Sequence, residues 1–276
     1  MLRQVGPLGS AKVALHLLRH LWVDFLLAAV LCGISAPLNP SLAQGLAPEV
    51  LLPIWGIAVS VFTGFRHGQA YERWWEARKL WGALLNQSRQ WRDALEVLVD
   101  GDCKRLLEQQ VQLVWAINAE LRGQVSGCGA DQLVREQAQA IAQLHHSRAI
   151  DPWGRLQLME IHGAICDALG GLERIRNHPM PAPYDVFVRV AVWSFGYLLF
   201  LRMDALYAPW GGWVALVVML LFISVERFGA FVEAPFSPRD LALPMDRICS
   251  AITCLLLTDA HPLAQPPQSE QALVWT

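Results

Sequence analysis

An all-α polytopic membrane protein is the fold class this sequence predicts, and three observations predict it. Of 276 residues, 54% are hydrophobic and only 17% charged, with a positive mean hydropathy; an ordinary soluble domain carries about 25% charged residues. Four apolar stretches, 21–36, 50–65, 186–201 and 210–225, hold almost no charge. The long segment between the second and third repeats its apolar residues at helical spacing, and no segment alternates with the two-residue period of a strand.

Each apolar stretch is about 16 residues long, short of the roughly 20 needed to cross a hydrocarbon core of about 30 Å. Flanking segments extend them, since helical patterning continues upstream through 13–18 and downstream through 66–75. Four transmembrane helices are therefore expected. Only Asp24 interrupts the first stretch and only Arg189 the third; a charge inside such a span faces a protein interior or snorkels to the boundary. Trp22, Trp55, Trp74, Trp75, Trp193, Trp210 and Trp213 fall where a lipid–water boundary would lie, whereas Trp81, Trp91 and Trp115 suit core packing equally well.

Basic residues set the expected orientation. The linker 37–49 and a turn at 203–209 have no lysine or arginine, while Arg3, Lys12, Arg19, Arg66, Arg73, Arg78, Lys79, Arg227 and Arg239 flank the other ends. Both termini and the long middle segment are thus expected on the cytoplasmic side of the membrane. A basic start, an apolar core at 25–34 and Ser41-Leu42-Ala43 also fit a secretory signal peptide. Asp24 at the mouth of that core, and the core's distance from the start of the chain, favour a retained helix.

Between the second and third stretches, amphipathic helices are predicted at 79–99, 105–121, 131–146 and 152–169, with breaks at 101–102, 123–129, 151–152 and 177–183 where glycine, proline or asparagine sit. The expected organisation is 1–75 with the first two membrane helices, 76–183 as a cytoplasmic helical domain, 184–232 with the last two, and 233–276 as a cytoplasmic segment. Its polar, proline-containing tail at 261–271 is expected to be mobile.

The net charge of −2, with no basic run interleaved with aromatics, excludes a nucleic-acid partner. The cysteines, Cys32, Cys103, Cys128, Cys166, Cys249 and Cys254, form no C-x-x-C pair and read as small hydrophobes. His145-His146 with His162 is not a metal-ligand spacing. Glu72 and Glu76 are one helical turn apart and, beside Arg73 and Lys79, read as ion-pair partners rather than an acid/base couple. No G-x-S-x-G, P-loop, dinucleotide-binding or H-E-x-x-H pattern is present, so no catalytic residue is assigned and an enzyme is not expected.

The most informative residues lie in and just after the second stretch. The run Pro53-Ile54-Trp55-Gly56-Ile57-Ala58-Val59-Ser60-Val61-Phe62-Thr63-Gly64-Phe65-Arg66 continues into Tyr71-Glu72-Arg73-Trp74-Trp75-Glu76-Ala77-Arg78-Lys79-Leu80-Trp81-Gly82. Asn86-Gln87-Ser88-Arg89, the segment from His178 to Tyr184, Glu233 to Phe236 and Leu243-Pro244-Met245-Asp246 accompany it at matching spacing. Together they resemble the bestrophin family of pentameric ion channels, its bacterial branch in particular.

The resemblance implies a homo-pentamer in the lipid bilayer in which the second helix of every subunit lines a central pore, with a hydrophobic neck at Ile57, Val61 and Phe65 and a cytoplasmic aperture at Met180. Independently of it, Ile57, Val61 and Phe65 recur at i, i+4 and i+8 and form one stripe, beside small Gly56, Ser60 and Gly64. A ring of apolar side chains gates by excluding water, because an ion cannot shed its hydration shell there without a replacement. Met180 departs from the isoleucine or valine the family pattern leads one to expect.

Glu72, seven residues past Phe65, falls on nearly the same face and makes a possible acidic selectivity ring, which Arg66 and Arg73 would oppose. The expected cargo is a small monovalent ion, chloride or another anion, or a sodium-like cation. Calcium needs six to eight oxygens, and the corresponding 234–246 stretch offers only Asp240 and Asp246, so no cofactor or metal is expected. The reading from a different class is a non-conducting, membrane-anchored helical module that binds a partner or senses a ligand. A substrate-coupled transporter would need inverted repeats, and none is visible.

Overall fold

The computed structural model describes residues 7–38, 50–124, 129–207, 210–237 and 243–265. Arg3, most of the 37–49 linker with Ser41 to Ala43, Cys128, Pro209, Arg239, Asp240 and the tail from 266 lie outside the described residues. Eight α-helices follow one another among the described residues: α1 Pro7–Ser35, α2 Leu51–Leu98, α3 Lys104–Leu121, α4 Gly129–His146, α5 Pro152–Asn177, α6 Ala182–Tyr207, α7 Trp210–Glu233 and α8 Met245–Leu256. Short 3₁₀ turns occupy Ala36–Leu38 and Pro262–Ala264, the latter at the start of the segment expected to be a mobile tail.

Two compact units make up the chain, one from 1–72 with 180–234 and the other from 73–179 with 235–276. In the first, α1, the beginning of α2, α6 and α7 share a core of Ala28, Cys32, Val59, Val192, Phe195, Leu201, Met219 and Ile223, among others. Helices α6 and α7 form a tight hairpin because glycines face their neighbours: a Cβ on Gly211 would lie 2.1 Å from the Met203 carbonyl oxygen, and one on Gly196 would lie 2.5 Å from Met219 Cγ. The turn expected at 203–209 is therefore helical through Tyr207. The stretch lacks glycine and proline before Pro209, and it is held by that close packing.

Two helices of the described residues, Ala182–Tyr207 and Trp210–Glu233, are long and apolar enough to cross a membrane, and Leu21–Ser35 is a shorter apolar segment. The apolar run of α2 ends at Phe65, where Arg66-His67-Gly68-Gln69 follows, although the helix itself continues to Leu98. Pro53 does not disturb it, because a first-turn N–H has no intrahelical acceptor to lose.

The second unit packs the rest of α2 with α3, α4, α5 and α8 around Trp81, Leu84, Trp91, Leu95, Ile117, Ile165 and Leu172. Burying each such side chain contributes about 1.5–3 kcal/mol. Trp74 packs against this core rather than standing at its surface, and Trp193 packs against that of the first unit, whereas Trp22, Trp55, Trp75, Trp210 and Trp213 are exposed. A buried polar chain crosses the second core: Gln137 Nε2 donates to Gln110 Oε1 at 2.6 Å, and Gln110 Nε2 to Ser88 Oγ at 3.0 Å. Cys32 and Cys249 are buried, whereas Cys254 is exposed.

The helix ends show how local sequence shapes this unit. Asp151 caps α5 by accepting from Gly154 N at 2.6 Å, with Pro152 in the first turn. Helix α3 closes on Gly123 at φ +69°, with Gln124 N donating to Ala119 O and Gly123 N to Glu120 O. Helix α4 closes with the same hydrogen-bond pattern, Ala149 N to Leu144 O and Arg148 N to His145 O, but with Arg148 in the left-handed position at φ 60°. A side chain there costs about 1–2 kcal/mol that glycine avoids. Arg148→Gly is expected to stabilise this unit by about 1 kcal/mol, read as a rise in its thermal unfolding midpoint in detergent; a fall would mean that the arginine side chain outweighs its backbone strain.

Candidate functional site

The face that α2 buries in the first unit is Val59, Thr63, Arg66 and Ala70, at helical spacing. The opposite stripe is open: Ile57 is 66% exposed, Val61 48% and Phe65 65%. Side chains on α6 hold α2 in this rotation. Trp55 Nε1 donates to Ser194 Oγ at 3.3 Å, Tyr184 OH donates to Phe62 O at 3.3 Å, and Phe62 meets Phe187 edge to face at 5.3 Å. Gly56 allows the approach, since a Cβ there would lie 2.8 Å from the Phe195 ring. Gly64, by contrast, faces open space, and Ser60 is exposed with its hydroxyl on Gly56 O.

Arg66 is only 1% exposed and ends in a group of acidic side chains. Its Nη1 donates to Glu226 Oε1 at 2.5 Å, its Nη2 donates to Asp185, and Glu233 Oε2 lies 3.6 Å from Nη2. Glu226, also 1% exposed, has Arg189 Nε at 3.8 Å and Arg227 Nε at 3.6 Å. Arg189 pairs with Asp185 at 3.2 Å, and Arg227 holds Asp24 through two bonds of 2.7 and 2.9 Å. Asp24 and Arg189, the two charges that interrupt apolar stretches, are therefore both paired within the chain, Asp24 largely shielded and Arg189 still 39% exposed. A fully desolvated guanidinium is tolerated only when paired in this way.

Glu72 is exposed on α2. The two arginines expected to oppose it are engaged elsewhere: Arg66 sits in the buried charge group, and Arg73 donates to the carbonyls of Ile175 and, at 2.6 Å, of His178. Arg73 thus satisfies the final carbonyls of α5, where a cation also complements the helix dipole. It thereby anchors the α5 end of the connection at 178–181 that carries Met180, a half-buried residue. Glu76 pairs with Arg174 of α5.

Asp246, one of the two acids in the 234–246 stretch, is occupied by Asn118 Nδ2 and by Arg122 Nη2 at 3.0 Å. His162 is buried on α5, where desolvation pushes its pKa down and its Nε2 lies 3.7 Å from Cys166 Sγ. His146 is exposed at the end of α4. Glu173 is pushed up by burial first, then by Asp131 and Glu120.

Sequence reasoning missed Glu226 and its convergence, with Asp185 and Glu233, on Arg66. A signal was present: Glu226 directly follows the uncharged stretch 210–225, and an acid at that depth needs a basic partner.

The family model for bacterial/fungal bestrophin proteins matches residues 4–132 and 126–257. The chain belongs to the bacterial/fungal bestrophin family. Among curated relatives, a voltage-dependent anion channel-forming protein of Ralstonia nicotianae is 28% identical over 215 residues, covering 69% of this chain and 70% of the relative. One of Nostoc is 24% identical over 252 residues, covering 82% and 80%, and one of Escherichia coli K12 is 27% identical over 235 residues, covering 77% and 76%. In fold, the chain is similar to the crystal structure of a bacterial bestrophin homologue from Klebsiella pneumoniae, with a TM-score of 0.79 at 22% identity, covering 88% of this chain and 100% of that one. The bestrophin signature seen in the sequence is thus matched by both a family profile and a fold.

Proposed function

We propose that this bestrophin-family chain is one subunit of a pentameric channel for small monovalent ions in the bacterial inner membrane. Four membrane helices per subunit, α1, α6, α7 and the start of α2, span the bilayer with both termini cytoplasmic. The second helix of each copy turns Ile57, Val61 and Phe65 toward a shared axis. The observation that carries this reading is the division of α2 into two faces: one locked by buried charge, the other an apolar stripe left open by its own chain. An apolar ring on the axis makes a dewetting barrier, and the exposed Gly64 and Ser60 beside it allow neighbouring copies to approach.

Met180, on the connection anchored by Arg73, forms a second narrowing, where flexible methionine side chains adjust its width at modest cost. The curated relatives are named as anion channel-forming proteins, which favours anions, while a ring of exposed Glu72 side chains favours cations.

Purified protein reconstituted in planar bilayers under a salt gradient tests both points. Stepwise currents are expected, with a reversal potential near that of chloride if the relatives' names are the guide and near that of the cation if Glu72 dominates. Silent bilayers containing intact oligomers would replace the channel with the membrane-anchored binding module.

A further inference from the structure

Seven charged side chains from four helices form one connected group in the first unit: Arg66, Arg189 and Arg227 with Asp24, Asp185, Glu226 and Glu233. Glu226 is its hub. Oε1 faces Arg66 and Arg189, at 2.5 and 3.8 Å, and Oε2 faces Arg227 at 3.6 Å, so three guanidinium groups share one carboxylate. The sole contribution of α2 to the group is Arg66. At about 100° per residue, Arg66 lies roughly 180° around the helix from Ile57 and roughly 140° from Val61.

We propose that Glu226 is a positioning residue for ion passage: through Arg66 it holds α2 back against α7, and so keeps the apolar stripe withdrawn from the pore axis. This rests on the channel reading above. The reasoning is electrostatic. Glu226 and Arg66 are shielded from water, so charges there are weakly screened and their attraction is strong. With the Glu226 charge removed, Arg189 keeps Asp185 and Arg227 keeps Asp24. Three guanidinium groups then repel one another across a neutral amide, and Arg66 retains only Glu233 as a partner on α7. Repulsion from α7 moves α2 toward the side that carries Ile57 and Val61, with Phe65, about 100° from Arg66, at its edge, and the neck narrows.

Single-channel recording of Glu226→Gln and Glu226→Asp in planar bilayers, beside the unaltered protein, tests this. Glu226→Gln is expected to lower open probability at least tenfold. The current of the remaining openings and the reversal potential should stay unchanged, because the stripe side chains are unaltered, and Glu226→Asp should restore most of the lost openings. A merely structural role would reduce the number of assembled channels without changing the gating of each one.

Intact Glu226→Gln oligomers that open like the unaltered protein would overturn the proposal. Should that variant fail to assemble, Asp24→Asn carries the test: it frees Arg227 to draw Glu226 away from Arg66, and a several-fold fall in open probability is expected, unchanged gating being the overturning result. Silence of the unaltered protein would sink the channel reading itself, whereas normal currents with unaffected variants would sink only the positioning role.

Discussion

Replacing Arg66 by methionine is expected to destabilise the first unit by about 3–5 kcal/mol, because it leaves Asp185, Glu226 and Glu233 gathered around a site without its central cation. Methionine fills much of the arginine's aliphatic volume, so the loss reports charge more than packing. The hydrophobic gain from methionine cannot offset it, since Glu226 remains buried beside the partly exposed Asp185 and Glu233, and the three acids must either repel one another or take up protons. In detergent, a fall in the thermal midpoint on the order of 10 °C is expected. A fall of only a degree or two would mean that Arg189 and Arg227 redistribute to satisfy all three acids.

On the opposite face of the same helix the expectation reverses. Val61→Ala and Phe65→Ala remove side chains that the chain leaves exposed, so each is expected to change stability by less than about 1 kcal/mol. Their effect should appear in the current. Five copies of a smaller side chain widen the apolar ring, and a wider ring retains water that an ion can keep as its hydration shell. Unit current at fixed voltage is expected to rise several-fold for Phe65→Ala and less for Val61→Ala, because the phenyl ring excludes more volume. Unit currents unchanged in both variants would place this stripe against lipid. Together, Arg66→Met and Phe65→Ala separate the two faces of α2: one variant loses stability, the other gains current.

Much of this was legible in the residue order. The helices of the second unit begin and end close to the predicted positions because their breakers are local: Gly101 and Asp102 end one segment, Gly123 another, and Asp151-Pro152 starts α5. Where the breaker was not local, the reading slipped. Helix α6 runs through the expected turn at 203–207 because Gly211 brings α7 against Met203, a contact between helices that no window of sequence contains. Helix α4 ends at His146, where its amphipathic pattern was expected to end, although the left-handed residue that follows is Arg148, which has no intrinsic preference for that conformation.

The stripe of Ile57, Val61 and Phe65 follows from the period of a helix, which depends only on spacing along the chain, and the bestrophin signature follows from residue identity. Sequence by itself therefore determined the all-helical class, the family and the candidate neck. Which charges meet was decided by the tertiary structure alone. Arg66 and Arg73 look alike as basic residues at the edge of an apolar run, yet one is enclosed by acids from α6 and α7 and the other caps the end of α5. Coulombic pairing depends on distance in space, and Arg66 and Glu226 are 160 positions apart in the chain; only folding brings them within 2.5 Å.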